Sequence, residues 1–216
     1  MHSHHHQTET DHVAFWENHY GQSERVWSGN VNKVLADTVA GLPVGRSLDF
    51  GCGEGADVLW LASKGWKASG VDISATAVTR AQADAAKHDF SEQQARFITA
   101  DLTTWTTDEQ FDLVTLSFFQ APFEFPRAKT LQSAASLVAP GGHLLAVSHA
   151  AAPSWTTNEQ MAQHSFPSPE SELVALDLDP EQWNILRAEI AERPITDPDG
   201  NPATLQDTVV FVQRRA

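Results

Sequence analysis

Basic side chains are scarce. Fourteen Lys and Arg stand against 28 Asp and Glu in 216 residues, a formal net charge of −14. So acidic a surface repels phosphate backbones, no Lys/Arg cluster offsets it, and a nucleic-acid partner is not expected. There is one cysteine, Cys52, so no intrachain disulfide can form and a reducing cytoplasm is the simplest location. No apolar run approaches the ~20 residues of a membrane span. The N-terminus lacks the apolar core of a signal peptide, and no membrane partner is expected. No Cys/His or Asp/Glu set has metal-ligand spacing, so no metal is expected. What is present, 41% hydrophobic residues in a chain of this length, suits one α/β domain with its own core.

The most informative stretch is Ser47–Gly55, Ser-Leu-Asp-Phe-Gly-Cys-Gly-Glu-Gly. Leu48 and Phe50 read as a strand running into a glycine-rich bend, and Ala56–Leu61 as a helix opening after it. Such a bend lets backbone N–H groups approach a ligand, with the helix N-terminus adding free donors. By itself it is equally a tight turn where helix and strand pack closely. Three acids add to it. Asp49 sits on the strand, Asp72 closes the next apolar run 21 positions after Gly51, and Asp101 follows a third probable strand, Arg96–Ala100. Asp72 lies where a ribose-binding carboxylate belongs in a βαβ nucleoside site. Acids at the ends of three successive parallel strands share the sheet edge where open α/β sheets bind ligands.

Along the chain, Met1–Thr10 is polar and His-rich and reads as a disordered tail, leaving 11–216 as one domain. Asp11–Tyr20 has near-helical spacing, with Asp11 as N-cap. Val31–Ala40 reads as a second amphipathic helix. After strand one come a helix over 55–63, strand Trp66–Val71, and an alanine-rich helix Ala75–His88 capped by Ser74. Strand Phe111–Leu116 is followed by a loop bearing Phe118, Phe119, Phe123 and Phe125. Helix Arg127–Val138 should stop at Pro140-Gly-Gly, with strand His143–Ser148 beyond. Ala150–Pro169 reads as a mobile loop of the length of a lid. Pro169–Leu176 suggests a brief helix. Trp183–Pro194 and Thr204–Arg214 alternate, and Asp197–Pro202 supplies turn chemistry between them, so the chain ends in a hairpin.

Asp49-Phe-Gly-Cys-Gly-Glu-Gly, Val71-Asp72-Ile-Ser, Ala100-Asp101-Leu, Phe111-Asp-Leu-Val-Thr-Leu and Leu137-Val-Ala-Pro-Gly-Gly-His-Leu-Leu occur in the order of motifs found in class I S-adenosylmethionine-dependent methyltransferases. The chain resembles that family from about Phe15 onward. Among its subfamilies it is most similar to small bacterial enzymes of the tellurite-resistance and thiopurine type. The resemblance implies a doubly wound three-layer α/β sandwich. Its seven-stranded, mostly parallel sheet has the order 3-2-1-4-5-7-6, with strand 7 antiparallel, under an N-terminal helical cap. It implies S-adenosyl-L-methionine as cofactor, S-adenosyl-L-homocysteine as product, and transfer to an O, N or S atom of a small-molecule acceptor.

The parts of that cofactor suggest partners. The ribose diol wants Asp72, the adenine wants Asp101, the Leu102 amide and the apolar Ile73. The amino-acid end wants close backbone at Gly51, Cys52 and Gly53, with Asp49 holding the loop or meeting the ammonium through water. Ser117 and Phe118 should lie beside the methionine portion. Trp27-Ser-Gly-Asn-Val-Asn resembles a cap pattern of the small bacterial subfamily, so Trp27, Asn30 and Asn32 are further contacts; Trp27 is equally a core aromatic. Arg25 is the suggested partner of the methionine carboxylate. Phe118, Phe119, Phe123 and Trp155 suggest a dry acceptor wall. His149, at the end of strand five, is the candidate base for an incoming heteroatom, against an ordinary loop histidine; His164 is a weaker one. Two alternatives stay open: an NAD-type Rossmann oxidoreductase, and a non-catalytic S-adenosylmethionine-binding protein. The protein is expected as monomer or homodimer.

Overall fold

The computed structural model describes residues 3–158 and 165–216. In chain order the elements are α1 (Ser3–Gly21), α2 (Lys33–Val39), β1 (Arg46–Phe50), α3 (Ala56–Ser63), β2 (Lys67–Asp72), α4 (Ala75–Lys87), β3 (Ala95–Thr99), β4 (Phe111–Ser117), α5 (Arg127–Ser136), β5 (Val138–His149), α6 (Pro169–Leu176), β6 (Trp183–Thr196) and β7 (Pro202–Arg214). The strands form one sheet in the order β3-β2-β1-β4-β5-β7-β6. β1 to β5 run parallel, and β7 runs antiparallel between β5 and β6. Order and direction are those the motifs implied. Among the described residues no helix is long and apolar enough to cross a membrane.

Side-chain alternation divides the core in two, because successive strand residues face opposite sides. Leu48, Phe50, Val114, Leu116, Leu144, Ala146, Val210 and Val212 pack on the face covered by α5 and α6. Leu113, Leu145, Val147, Val209 and Phe211 pack on the other, against α2, α3 and α4. That second face also receives the odd-numbered polar residues of β1 and β4, Asp49 and Thr115, which bond to each other.

Three expectations shift. Helical backbone begins at Ser3, so Asp11 lies inside α1 and is not its cap. No Gly or Pro lies between Ser3 and Tyr20 to interrupt it. α2 begins at Lys33 because the Asn32 side chain accepts from the Val34 and Leu35 N–H groups. Pro140-Gly-Gly does not stop a helix. α5 has already ended, the Leu137 carbonyl accepts from Phe111, and pairing resumes at Val138. Between the pairs Phe111–Val138 and Leu113–His143 the register slips, and Pro140-Gly-Gly sits in that bulge. The terminal hairpin forms as expected and is longer at both strands.

One buried ion pair ties the α5–α6 side together. Both terminal nitrogens of Arg127 donate to Glu172 at 2.9 and 2.7 Å, Ser148 donates to the same carboxylate, and Glu172 is 1% exposed. Removing one partner of such a pair strands the other. Glu172→Ala should therefore cost about 3–5 kcal/mol in urea unfolding. Glu109→Ala, which breaks exposed pairs to Arg46 and Arg96, should cost about 1 kcal/mol or less. Equal costs would contradict the assignment.

Candidate functional site

A cavity of about 760 Å³ opens at the carboxyl ends of the parallel strands. Asp49 of β1, Asp72 and Ile73 at the end of β2, Asp101 and Leu102 after β3, Ser117 and Phe118 at the end of β4, and His149 at the end of β5 all line it. The glycine loop, Gly51-Cys52-Gly53, forms its floor. Gly53 has φ +52°, and a Cβ there would lie 2.8 Å from the Tyr20 hydroxyl. Only a residue without a side chain lets the loop and α1 approach so closely.

The acids hold this loop in shape. Asp72 is 6% exposed and accepts from the Gly53 N–H at 2.8 Å and the Ser74 N–H at 2.9 Å. Asp49 accepts the Thr115 hydroxyl at 2.6 Å. Asp57, in the first turn of α3, accepts from the Asn32 N–H at 2.7 Å and the Ser117 hydroxyl at 2.8 Å. Among the described residues none of these three meets a basic side chain. Burial pushes the Asp49 carboxyl well above the usual carboxylate range; the charges of Asp57 and Asp72 add to that, and the Thr115 hydrogen bond opposes it. Burial also raises Asp57 and Asp72 against the hydrogen bonds they accept. Burial raises the Cys52 thiol well above its ordinary value, with Asp72 and Asp49 adding to it, so it stays a thiol and no nucleophile.

Two further acids fasten the N-terminal elements over the cavity. Glu54, 3% exposed, accepts from the Val26 and Trp27 N–H groups and pairs with Arg80 at 2.9 Å. Arg80 reaches on to the Tyr20 and Ser23 carbonyls. Glu17 of α1 accepts from Ser74 and Thr76 at the start of α4. His12, Trp16 and Tyr20, four residues apart on α1, thus face the cavity together with Trp27, Asn30 and Asn32. Trp27 is 52% exposed, its indole N–H donating to Tyr20 at 3.1 Å, which removes the reading of it as a core aromatic. The Asn32 side-chain nitrogen is buried with no partner among the described residues.

One suggested contact is corrected. Arg25 does not line the cavity; its guanidinium is paired with Asp84 on α4, 59 residues away in sequence. Trp155 is absent from the lining, whereas Phe118, Phe119, Phe123 and Phe125 are present. Asp101 lines the cavity and also closes a local turn by accepting from the Thr103 N–H. Residues 159–164, including His164 and the middle of the loop read as a lid, lie outside the described residues. A broader depression of about 820 Å³ lies beyond the Phe123–Arg127 segment and contains none of the strand-end acids.

Sequence reading missed a second cluster. His149 and Arg193 both line the cavity, and Asp207 lies behind them, fully buried. Arg193 Nε donates to Asp207 at 2.7 Å, and His149 Nδ1 stands 3.6 Å from the same carboxylate. The His149 ring stacks on Phe118 at 4.3 Å, and Arg193 lies over Phe118 at 5.6 Å. Burial raises the Asp207 carboxyl, but its His149 and Arg193 contacts outweigh this and hold it below the usual range.

Residues 48–142 match the family described as "Methyltransferase domain". The chain is 35% identical over 135 residues to "Probable thiol methyltransferase 2" of Arabidopsis thaliana, a match taking in 60% of this chain and 59% of that protein. The chain thus spans under two thirds of the length of that relative. A solved structure from work on conversion of a disulfide bond into a thioacetal group during echinomycin biosynthesis superposes with a TM-score of 0.71. It has 22% identity and covers 94% of this chain and 92% of that one. TehB from Haemophilus influenzae gives 0.64 at 15% identity, over 86% of this chain and 63% of that one. At these identities the two structures show a shared fold and nothing further.

The raised carboxyls make a signed prediction. A carboxyl whose folded value exceeds its unfolded one favours folding at acid pH, and that stability is lost as pH rises through the unfolded and then the folded value. Asp49→Asn should therefore be the more stable ligand-free protein at neutral pH, its advantage over the parent shrinking as pH falls into the carboxylate range. Thermal midpoints across pH check this. An Asp49→Asn variant that is less stable than the parent at neutral pH would contradict the buried, unpaired charge.

Proposed function

We propose, from the premise that residues 48–142 form a methyltransferase domain on a class I methyltransferase fold, that the chain moves the methyl group of S-adenosyl-L-methionine to an O, N or S atom of a small-molecule acceptor. The observation that carries this is the set of three buried carboxylates, Asp49, Asp57 and Asp72, with no basic partner among the described residues. Ionised carboxylates taken out of water are costly unless a positive charge joins them. The cofactor brings two, an ammonium and a sulfonium. A dinucleotide brings phosphates, which the same acids repel, so the NAD reading loses on charge.

In this assignment Asp72 holds the ribose diol with the lone pairs not used by Gly53 and Ser74. Asp101, the Leu102 amide and Ile73 take the adenine. Gly51, Cys52 and Gly53 bring backbone to the amino-acid end, and Asp49 and Asp57 face its ammonium. Asn32, with its unpartnered side-chain nitrogen, takes the carboxylate in place of Arg25. Ser117 and Phe118 flank the methionine portion, and Trp27 covers it.

When bound, the cofactor supplies a methyl group already activated on a positive sulfur. The protein's part is to align a nucleophile with it and keep water away. The four phenylalanines and Trp16 give that end of the cavity an apolar wall. His149, beyond Phe118, is the group placed to take a proton from the acceptor. An acceptor end of this kind is what a purely cofactor-binding protein has no use for. The net charge of −14 supports a small acceptor over a nucleic acid. We take 11–216 as the working domain, with 1–10 outside it, and a reducing cytoplasm as the setting, in keeping with a buried free thiol.

Calorimetric titration with S-adenosylmethionine, S-adenosylhomocysteine and NADH tests the reading. The first two should bind and NADH should not. Asp72→Asn should weaken the first two by about 10–100-fold, the loss of one to two charge-assisted hydrogen bonds. Binding of NADH alone would overturn it.

A further inference from the structure

The His149–Asp207–Arg193 cluster follows from sheet register. His149 on β5 pairs directly with Asp207 on β7, and Asp207 pairs with Ala191 on β6, placing Arg193 on the diagonal two residues on. Side chains opposite and diagonal in adjacent antiparallel strands share a face and reach one another. Asp207 does not line the cavity; the two residues it holds do.

We propose that Asp207 is a positioning residue that fixes His149 with Nδ1–H toward β7 and Nε2 toward the cavity, and that the acceptor is therefore a neutral protic molecule deprotonated in place. The inference rests on the methyl-transfer reading above.

Three observations support it. The Asp207 carboxylate is buried, and Arg193 covers its Oδ2 at 2.7 Å and reaches Oδ1 at 3.3 Å, which leaves Oδ1 as the atom facing His149. At 3.6 Å the Nδ1···Oδ1 contact lies within ion-pair distance and is longer than a closed hydrogen bond. A carboxylate accepts only, so the nitrogen facing it must carry the proton and the other ring nitrogen is left free. Second, the groups facing the His149 ring are Asp207 from β7 and the Phe118 ring, with Arg193 from β6 beyond the carboxylate, while Gln120 from the loop after β4 accepts from the His149 backbone N–H. No other ion pair to the ring is seen among the described residues. Third, among the described residues lining the cavity no Lys or Arg is spare for an anion. Arg193 is neutralised by Asp207, Lys33 is paired with Asp37 at 2.7 Å, and the strand-end acids repel negative charge.

The step balances. The acceptor X–H bond breaks as its proton passes to His149 Nε2. The X–C bond forms to the transferred methyl, and the S–C electron pair returns to sulfur, giving a neutral thioether. Asp207 faces the imidazolium so formed. The aromatic wall and the reach of an imidazole base select apolar thiols or phenols, whose ordinary pKa values of about 8.5–10 lie within a few units of histidine's.

The test is ¹⁵N NMR of the full chain carrying ¹⁵N-labelled histidine, with His149 assigned from the signal lost in His149→Gln. At pH where the ring is neutral, the parent should show the Nδ1–H form. In Asp207→Asn the amide oxygen goes to Arg193 and its NH₂ faces Nδ1, so His149 should change to the Nε2–H form. A parent ring in the Nε2–H form, or a form unchanged in Asp207→Asn, overturns the positioning role; the parent measurement stands even where the variant fails to fold. In parallel, S-adenosylhomocysteine release is measured with benzyl mercaptan, a set of neutral thiols and phenols, and iodide. Neutral acceptors should exceed iodide by about tenfold or more in kcat/KM. Asp207→Asn should lower their kcat by about 10–100-fold and leave S-adenosylmethionine affinity unchanged. Iodide turned over equally well would overturn the neutral-acceptor half. The expected tautomer with no release from any of these acceptors would overturn the thiol or phenol assignment and leave the role of Asp207 intact, whereas a parent protein that fails to bind S-adenosylmethionine would overturn the methyl-transfer reading itself.

Discussion

Charge taken out of water without a counter-charge is the constraint from which this molecule is best understood. Asp49, Asp57 and Asp72 sit at or beside the tips of adjacent parallel strands, each buried and, among the described residues, each met only by N–H or O–H donors. Donors of that kind orient a carboxylate and offset part of its desolvation, but they do not neutralise it. The rest of the cost is carried by the fold as raised carboxyls. Such an arrangement gives up stability in the empty protein for affinity toward a positively charged ligand.

The five acids around the glycine loop divide their work. Glu54 and Glu17 clamp the Trp27 segment and α1 onto the loop and onto α4. Asp72 both shapes the loop and faces the cavity, and Asp57 links α2 to the end of β4. The cap and the cavity floor are thus fastened by shared carboxylates. At the far end Asp207 behaves differently. It is matched by Arg193, and its charge orients neighbours and does not meet a ligand.

The strand-end acids were legible in the sequence because topology alone fixes them: a polar residue at the carboxyl end of each parallel strand must face one edge. Ser74 as the cap of α4 and the terminal hairpin were legible for equally local reasons. The Arg193–Asp207–His149 cluster was not. It depends on the register of three strands, and alternation tells which face a residue takes without telling which neighbour it meets. Arg25 was misread because its partner, Asp84, is distant in sequence and close only once α4 is packed. Pro140-Gly-Gly was misread as a helix stop because a bulge within a strand asks for the same residues.

The measurement that tests the central claim most directly is the number of protons exchanged when S-adenosylmethionine binds, from calorimetry in buffers of different ionisation enthalpy at mildly acidic pH. A cation entering beside carboxyls raised by burial must lower them, so binding should release protons, and the release should shrink in the Asp49→Asn variant. Proton uptake, or no exchange at any pH below neutral, would show that the buried carboxylates are not what receives the ligand.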